Sequence, residues 1–208
     1  MMTSIAAPRR QMRLTSGKRR GGRSARVVAA VLGATLEELG ATGYSNLRID
    51  DVARRAAVNK TTIYRRWPTR AALVEAALRS IQSTREPPRM TSVREDLLAD
   101  LRFEIEWFMS PIGRGIARMI PIERAHGSDI DAVLLQLRIE QIARRESVIR
   151  AGIARGELPA TTDAPLLSVI IQSTIFSRLI HVGEPPDDGE LVATVDLLLR
   201  GARASNVN

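Results

Sequence analysis

Residues 46–70 read NLRIDDVARRAAVNKTTIYRRWPTR. Within them Ile49, Val52, Ala53 and Ala56 recur at i, i+3, i+4 and i+7, the spacing of a short helix with one apolar face, and Asp50 and Asp51 lie where the positive end of its dipole favours acids. Ala57-Val58-Asn59 breaks this helix and restarts it. Asn59 suits an N-cap because its side-chain oxygen can accept an orphaned backbone N–H, and Pro68 ends the second helix by biasing Trp67 toward extended backbone. Two helices joined by so short a turn make a helix-turn-helix.

At roughly 100° per residue, Ile63 and Trp67 share the inward face of the second helix. The outward face centres on Thr61 and Arg65 and is flanked by Thr62 and Tyr64, with Lys60 beside the cap and Arg66 next along. Such a face suits a major groove: arginine pairs bidentately with guanine, threonine reaches base edges or a thymine methyl, and tyrosine and lysine hold phosphates. Ordinary solvated charge is the plainer reading of Arg65 and Arg66, but cap, core and stop residues all agree with the first.

The run RIDDVARRAAVNKTTIYRRWPTRAALVEAAL resembles the DNA-binding domain of TetR-type transcriptional regulators, a match extending from about Arg23 to Leu78. The resemblance implies a first helix supporting the helix-turn-helix and a fourth leading into a ligand-binding domain. It puts Val58, Lys60, Thr62, Tyr64, Trp67 and Arg70 at motif positions, with Tyr64 and Arg70 on phosphates. There are two departures. Ala57 stands where the family has a turn glycine, which costs up to about 1 kcal/mol if the backbone there is left-handed. Arg48 stands where a serine or threonine caps the first of the two helix-turn-helix helices, so either Asn46 caps instead or Arg48 faces a phosphate.

Charge follows the same division. The chain of 208 residues carries a net +8, but residues 1–80 hold 16 basic against 5 acidic side chains and the remainder 15 against 18. A basic end orients a protein on a polyanion and makes binding salt-sensitive. Only Lys18 and Lys60 are lysines, a bias that fits a GC-rich genome as well as phosphate recognition. The absence of cysteine excludes disulfides, thiolate nucleophiles and cysteine-type zinc sites. The basic start lacks an apolar signal-peptide core and no apolar run reaches membrane-spanning length, so a cytoplasmic, nucleoid-associated protein is expected.

Residues 1–22 lack helical periodicity and carry six basic side chains, which predicts a disordered arm that either tracks DNA or is a solvated tail. A helix is expected from Arg23 to Leu39, ended by Gly40, and together with the helix-turn-helix it gives a DNA-binding domain over 23–68. Thr69 caps a connecting helix that runs from Arg70 into the 80s, so 69–90 form a connecting helix and linker closed by Pro87-Pro88.

Residues 91–208 show no strand pattern. Ser92 and Glu95 form a capping box for a helix with Leu97, Leu98, Leu101, Ile105 and Phe108 on one face and Phe103 and Trp107 roughly opposite, which makes it central. Ser110-Pro111 opens a helix containing Pro121 and ending near His126-Gly127. Ser128 or Asp129 starts a long helix to about Arg155 with two apolar stripes. One holds Leu135, Ile139, Ile142, Ile149 and Ile153, interrupted by Glu146; the other holds Ile130, Leu134 and Leu137 and continues at Gln141. Residues 165–182 are apolar nearly all round, and Asp187 or Asp188 caps a last helix. The expected fold is therefore all-α: a three-helix DNA-binding domain joined by the connecting helix to a larger helical bundle, about nine helices in total.

SPIGRG, ARGELP and HVGEPPDDGELVATVDLLLRGA look like an actinobacterial-type subgroup of the family's C-terminal domains, whose last two helices dimerise. That implies a homodimer through about 165–182 and 188–203.

No catalytic motif, metal spacing or nucleotide fingerprint appears, so neither an enzyme nor a cofactor is expected. A small-molecule pocket between helices is the better use of the second domain. Its candidate walls are Phe103, Trp107, Met119, Glu123, His126, Leu137, Gln141, Glu146, Gln172 and Phe176. The DNA-facing candidates are Arg48, Asn59, Lys60, Thr61, Thr62, Tyr64, Arg65, Arg66 and Arg70. The function expected is a ligand-responsive repressor on a double-stranded palindromic operator; the alternative is a constitutive nucleoid or architectural protein without a switch.

Overall fold

The structure, a computed structural model, describes residues 21–83 and 92–204, and within them it is helical without strands. The expected basic arm and the Pro87-Pro88 linker lie outside the described residues, apart from the last two arm positions, which already belong to the first helix. The helices are α1 (Gly21–Thr42), α2 (Ile49–Arg55), α3 (Lys60–Tyr64), α4 (Arg70–Ser83), α5 (Val93–Met109), α6 (Pro111–His126), α7 (Asp131–Ala154), α8 (Ala164–Ser177) and α9 (Asp188–Ala204). A π-helical turn, Arg178–Val182, prolongs α8 and stops at Gly183, whose φ is +82°.

Local chemistry accounts for most boundaries. The Thr69 hydroxyl accepts from the Ala72 N–H at 3.1 Å, and the Ser92 hydroxyl from the Glu95 N–H at 3.2 Å. Ser110 turns the corner between α5 and α6: its hydroxyl donates to the Trp107 carbonyl at 2.7 Å and accepts from the Gly113 N–H at 3.0 Å. At α9 the cap is Asp187, which accepts from the Glu190 N–H at 2.8 Å while Glu190 accepts from the Asp187 N–H at 3.1 Å, a reciprocal capping box. The start of α7 differs from expectation. Ile130 is its N-cap residue without a side-chain bond, and Ser128 closes α6 instead, its backbone N–H and hydroxyl both 3.3 Å from the Glu123 carbonyl.

Gly40 does not end α1. The helix continues to Thr42 and closes at Gly43, with φ of +76°. Gly40 lies where α6 crosses. A Cβ on it would stand 2.9 Å from the Ile112 Cα, and one on Gly115 only 1.8 Å from the Gly40 carbonyl oxygen. The two backbones touch, and only glycine fits on either side.

Two apolar clusters result. The first unites α1–α4 with α6 and the front of α7: Val31, Leu39, Tyr44, Val52, Ile63, Leu73 and Leu78 pack with Ile116, Met119, Ile130 and Leu137. The second joins α5, the rear of α7, α8 and α9 through Leu97, Leu101, Ile149, Leu167, Ile171, Leu191 and Val195. Of the two α7 stripes, the Ile130-Leu134-Leu137 one faces inward; the other divides, Leu135 and Ile139 staying about half exposed at 47% and 50% while Ile149, further along, is buried in the second cluster. Leu166, Val169 and Ile170 on α8 and Leu197 on α9 are also exposed. No helix among the described residues is long and apolar enough to cross a membrane.

Candidate nucleic-acid interface and cavity

The α2–α3 unit is held from inside by Val52, Ala53 and Ile63, all buried, with Trp67 packed beside them. Between the helices Ala57 adopts φ of +53°, so this alanine carries the left-handed turn that glycine would enter without steric cost. The Asn59 side-chain oxygen caps α3, accepting from both the Thr61 N–H and the Thr61 hydroxyl at 2.9 Å. The Thr61 hydroxyl proton is thus committed to the cap, leaving its lone pairs and methyl outward. Arg48 occupies the N-cap position of α2 with no side-chain bond, and Asn46 donates back to the Thr42 carbonyl at 3.2 Å instead of capping. That leaves the Arg48 side chain on the exposed surface.

Lys60, Thr61, Tyr64, Arg65 and Arg66 are exposed, as are Arg48 and Asn59, whereas Thr62 and Arg70 are half-buried. Two of the exposed cations have partners. Lys60 Nζ is 3.1 Å from Asp50, an exposed pair of the kind worth ~0–1 kcal/mol and readily exchanged for a phosphate. Arg66 donates to the Ser24 hydroxyl at 2.7 Å, linking the reading helix to α1.

Arg70 is more firmly held. Its guanidinium carbon lies 4.1 Å from the centre of the buried Tyr44 ring, and Nη1 donates to the Ser45 carbonyl at 3.3 Å. Burial, then the nearby Asp129 carboxylate, pushes the Tyr44 phenol up to about 12 against the pull of Arg70, so the ring is neutral at physiological pH. Ser45 in turn donates its backbone N–H (3.2 Å) and hydroxyl (2.9 Å) to Oε1 of Glu123, a buried carboxylate near the end of α6. One chain of contacts therefore runs from α6 through the α1–α2 loop to Arg70 at the start of α4.

Between α4, α5, α6, α7 and α8 lies a cavity of about 360 Å³. Leu78, Ile81 and Gln82 of α4 form one wall, Ile116, Ile120, Pro121 and Arg124 of α6 another, and Trp107, Phe108 and Phe176 an aromatic side. The three rings meet edge to face, at centroid distances of 4.8 Å and 5.6 Å. Leu134, Leu135, Leu137, Arg138 and Gln141 of α7, Ser173 and Ser177 of α8, and His181 complete the lining.

Residues 87–198 match the family model described as "Tetracyclin repressor-like, C-terminal domain", and residues 31–77 match "Bacterial regulatory proteins, tetR family". The chain belongs to the TetR family. It is similar to the HTH-type transcriptional regulator AqdR of Rhodococcus erythropolis, 29% identical over 187 residues, 89% of this chain and 90% of that one. It is also similar to the DNA-binding transcriptional repressor TetR of Mycobacteroides abscessus, 28% identical over 82% of this chain and 92% of the other. Among solved structures, the TetR family transcription regulator SCO0332 superposes with a TM-score of 0.68 at 30% identity, covering 85% of this chain and 98% of its own. This TetR-family chain is thus a DNA-binding transcriptional regulator.

Of the ten pocket candidates named from the regulator's sequence, Trp107, Leu137, Gln141 and Phe176 line the cavity. The other six lie elsewhere. Met119 is in the first apolar cluster, Glu123 faces Ser45, His126 is exposed at the end of α6, and Glu146 pairs with Arg150 at 2.6 Å. Phe103 is half-buried away from the cavity lining. Gln172 is engaged with Arg145, whose fully buried guanidinium also reaches Glu104 at 2.6 Å and Asp100 at 2.8 Å. Sequence reasoning passed over Arg145. The available signal was that it continues the inward stripe two turns beyond Leu137, with Gln141 between. Among the described residues no group of three or more histidine and carboxylate side chains is placed to hold a metal ion.

Proposed function

We propose that this regulator is a ligand-responsive repressor that binds a palindromic operator as a homodimer and leaves it when a small molecule occupies the cavity. The observation that carries the reading is that α4 and α6 both wall the cavity and both reach the DNA-facing end, α4 starting at Arg70 and α6 ending beside Ser45. A ligand acts only through differential affinity. Reversing a 99:1 occupancy needs about a 10⁴-fold preference for the released conformation.

In this reading residues 23–68 read DNA, 69–90 connect, and 91–208 bind effector and dimerise. Thr61 and Arg65 meet base edges, Asn59 and Thr62 border them, and Arg48, Lys60, Tyr64, Arg66 and Arg70 hold phosphates. The exposed Leu166, Val169, Ile170 and Leu197 supply an apolar face on α8 and α9 for a symmetric four-helix contact. The regulator works in the cytoplasm, where its operator lies on the nucleoid.

The test is fluorescence anisotropy on DNA from upstream of the regulator's own gene. One tight site is expected, weakened by Arg65→Ala by about 1–3 kcal/mol, with Lys60→Ala lowering affinity uniformly across sequences. Equal affinity for many unrelated sequences, with a steep salt slope and no ligand response, would instead establish the architectural reading.

A further inference from the structure

The cavity lining contains two arginines, Arg124 and Arg138, and a histidine, His181, but no aspartate or glutamate. Arg124 is already compensated, its Nε 3.3 Å from Asp131. Arg138 is not. Among the described residues no carboxylate pairs with it, unlike the ion-paired Arg79, Arg94, Arg102 and Arg150. Its helical neighbours three and four residues away are Leu134, Leu135, Gln141 and Ile142, so α7 supplies no acid either. The guanidinium carbon is 5.7 Å from the centre of the Phe176 ring and the side chain is half-buried, which strengthens its field relative to a fully solvated arginine.

Neutral donors share the cavity. Ser173 and Ser177 stand one turn apart on α8, and Gln141 lies one turn beyond Leu137 on α7. Gln82 accepts from Arg144 at 2.8 Å through its carbonyl oxygen, which leaves its amide N–H groups unspent. Positive and donor-rich walls without an acid favour an anion and oppose a cation. At about 360 Å³ the space lies toward the small end of small-molecule sites, which span ~300–1,000 Å³.

We propose that the effector is an organic carboxylate, with a body of one or two rings against Trp107, Phe108 and Phe176 and its carboxylate on Arg138. This rests on the cavity being the effector site. Arginine suits the role because its planar fork binds a carboxylate through two parallel charge-assisted hydrogen bonds.

The experiment is calorimetric titration of the full-length protein with 2-naphthoate, its uncharged isostere 2-naphthamide, and 2-naphthylmethylammonium. Naphthoate should bind about tenfold or more tighter than the amide, and the ammonium weakest. Arg138→Gln should cost naphthoate about tenfold or more in affinity and naphthamide far less, which removes the preference; Arg138 is partly exposed, and an unchanged melting curve checks that the variant folds. If naphthamide binds as tightly as naphthoate, or Arg138→Gln keeps the preference, the carboxylate assignment is wrong while the cavity reading stands. If none of the three binds, the cavity reading falls and the assignment with it.

Discussion

Replacing Gly115 with alanine is the sharpest mechanical test of how the two halves are joined. The new methyl would stand 1.8 Å from the Gly40 carbonyl oxygen, where ordinary contact begins near 3.4 Å, so roughly 1.5 Å must be found. The obstacle is backbone. No side chain can swing away, and α1 and α6 must part, opening the first apolar cluster around Ile116 and Met119. Overpacking costs about 1–3 kcal/mol when side chains and backbone can adjust, and Gly115→Ala should fall at or above the upper figure. Gly33→Ala, on α1 across the crossing, is the control: nothing lies within 4 Å of its Cβ position, and replacing a mid-helix glycine should stabilise by about 0.5–1 kcal/mol. For a chain of this size 1 kcal/mol moves Tm by about 2–4 °C. Thermal unfolding of the full-length protein at fixed concentration should therefore show Gly33→Ala melting a few degrees above the parent and Gly115→Ala at least about 6 °C below it. A Gly115→Ala protein that melts with the parent would refute the close crossing.

Other perturbations probe different contacts. Arg145→Met leaves the buried Glu104 carboxylate without its counter-ion and should lower stability by about 3–5 kcal/mol in urea titration, with partial recovery on adding Glu104→Gln; a single variant as stable as the parent would contradict the buried network. Glu123→Ala leaves the Ser45 donors without their acceptor and should raise the operator Kd about tenfold, whereas Glu123→Gln, which retains an acceptor oxygen, should stay near the parent; equal Kd values for all three would remove Glu123 from the coupling. Hydrogen bonds from Arg102 and Arg94 hold the Asp188 and Asp196 carboxyls below the usual carboxylate range, so the ties of α5 to α9 are complete above that range and fail as pH falls through the lowered values. Hydrogen exchange in α9 should accelerate on acidification within that window, and Asp188→Asn/Asp196→Asn should flatten the dependence.

What could be read in the sequence was local. Caps at Asn59, Thr69, Ser92 and Ser110 each act within three residues, and a single strand of text contains the whole interaction. The helix-turn-helix is legible for the same reason. Gly40 misled because a glycine late in a helix is commonly a stop, yet here it answers a helix more than seventy residues away. The two stripes of α7 were visible, but Leu135 and Ile139 are as apolar as Ile149, so composition did not say that their stripe is exposed at the front of the helix and buried at the rear. Arg145 escaped, and Glu123 was placed on the pocket wall instead of against Ser45, because each is defined by partners distant in sequence: Glu104 and Asp100 for the one, Ser45 for the other. Pocket membership failed similarly, since helical spacing places a residue on a face without saying which face opposes it.

The first apolar cluster draws from both the DNA-facing helices and the bundle, and this bears on how such a protein can be recombined. Exchanging everything before α5 for the reading head of another regulator would leave Ile116, Met119 and Ile130 facing side chains chosen for a different neighbour, and Gly115 opposite a residue that need not be glycine. A working chimera should therefore carry the α6 face and the front of α7 along with its new head. The natural unit of exchange in this molecule is a packing surface rather than a contiguous segment.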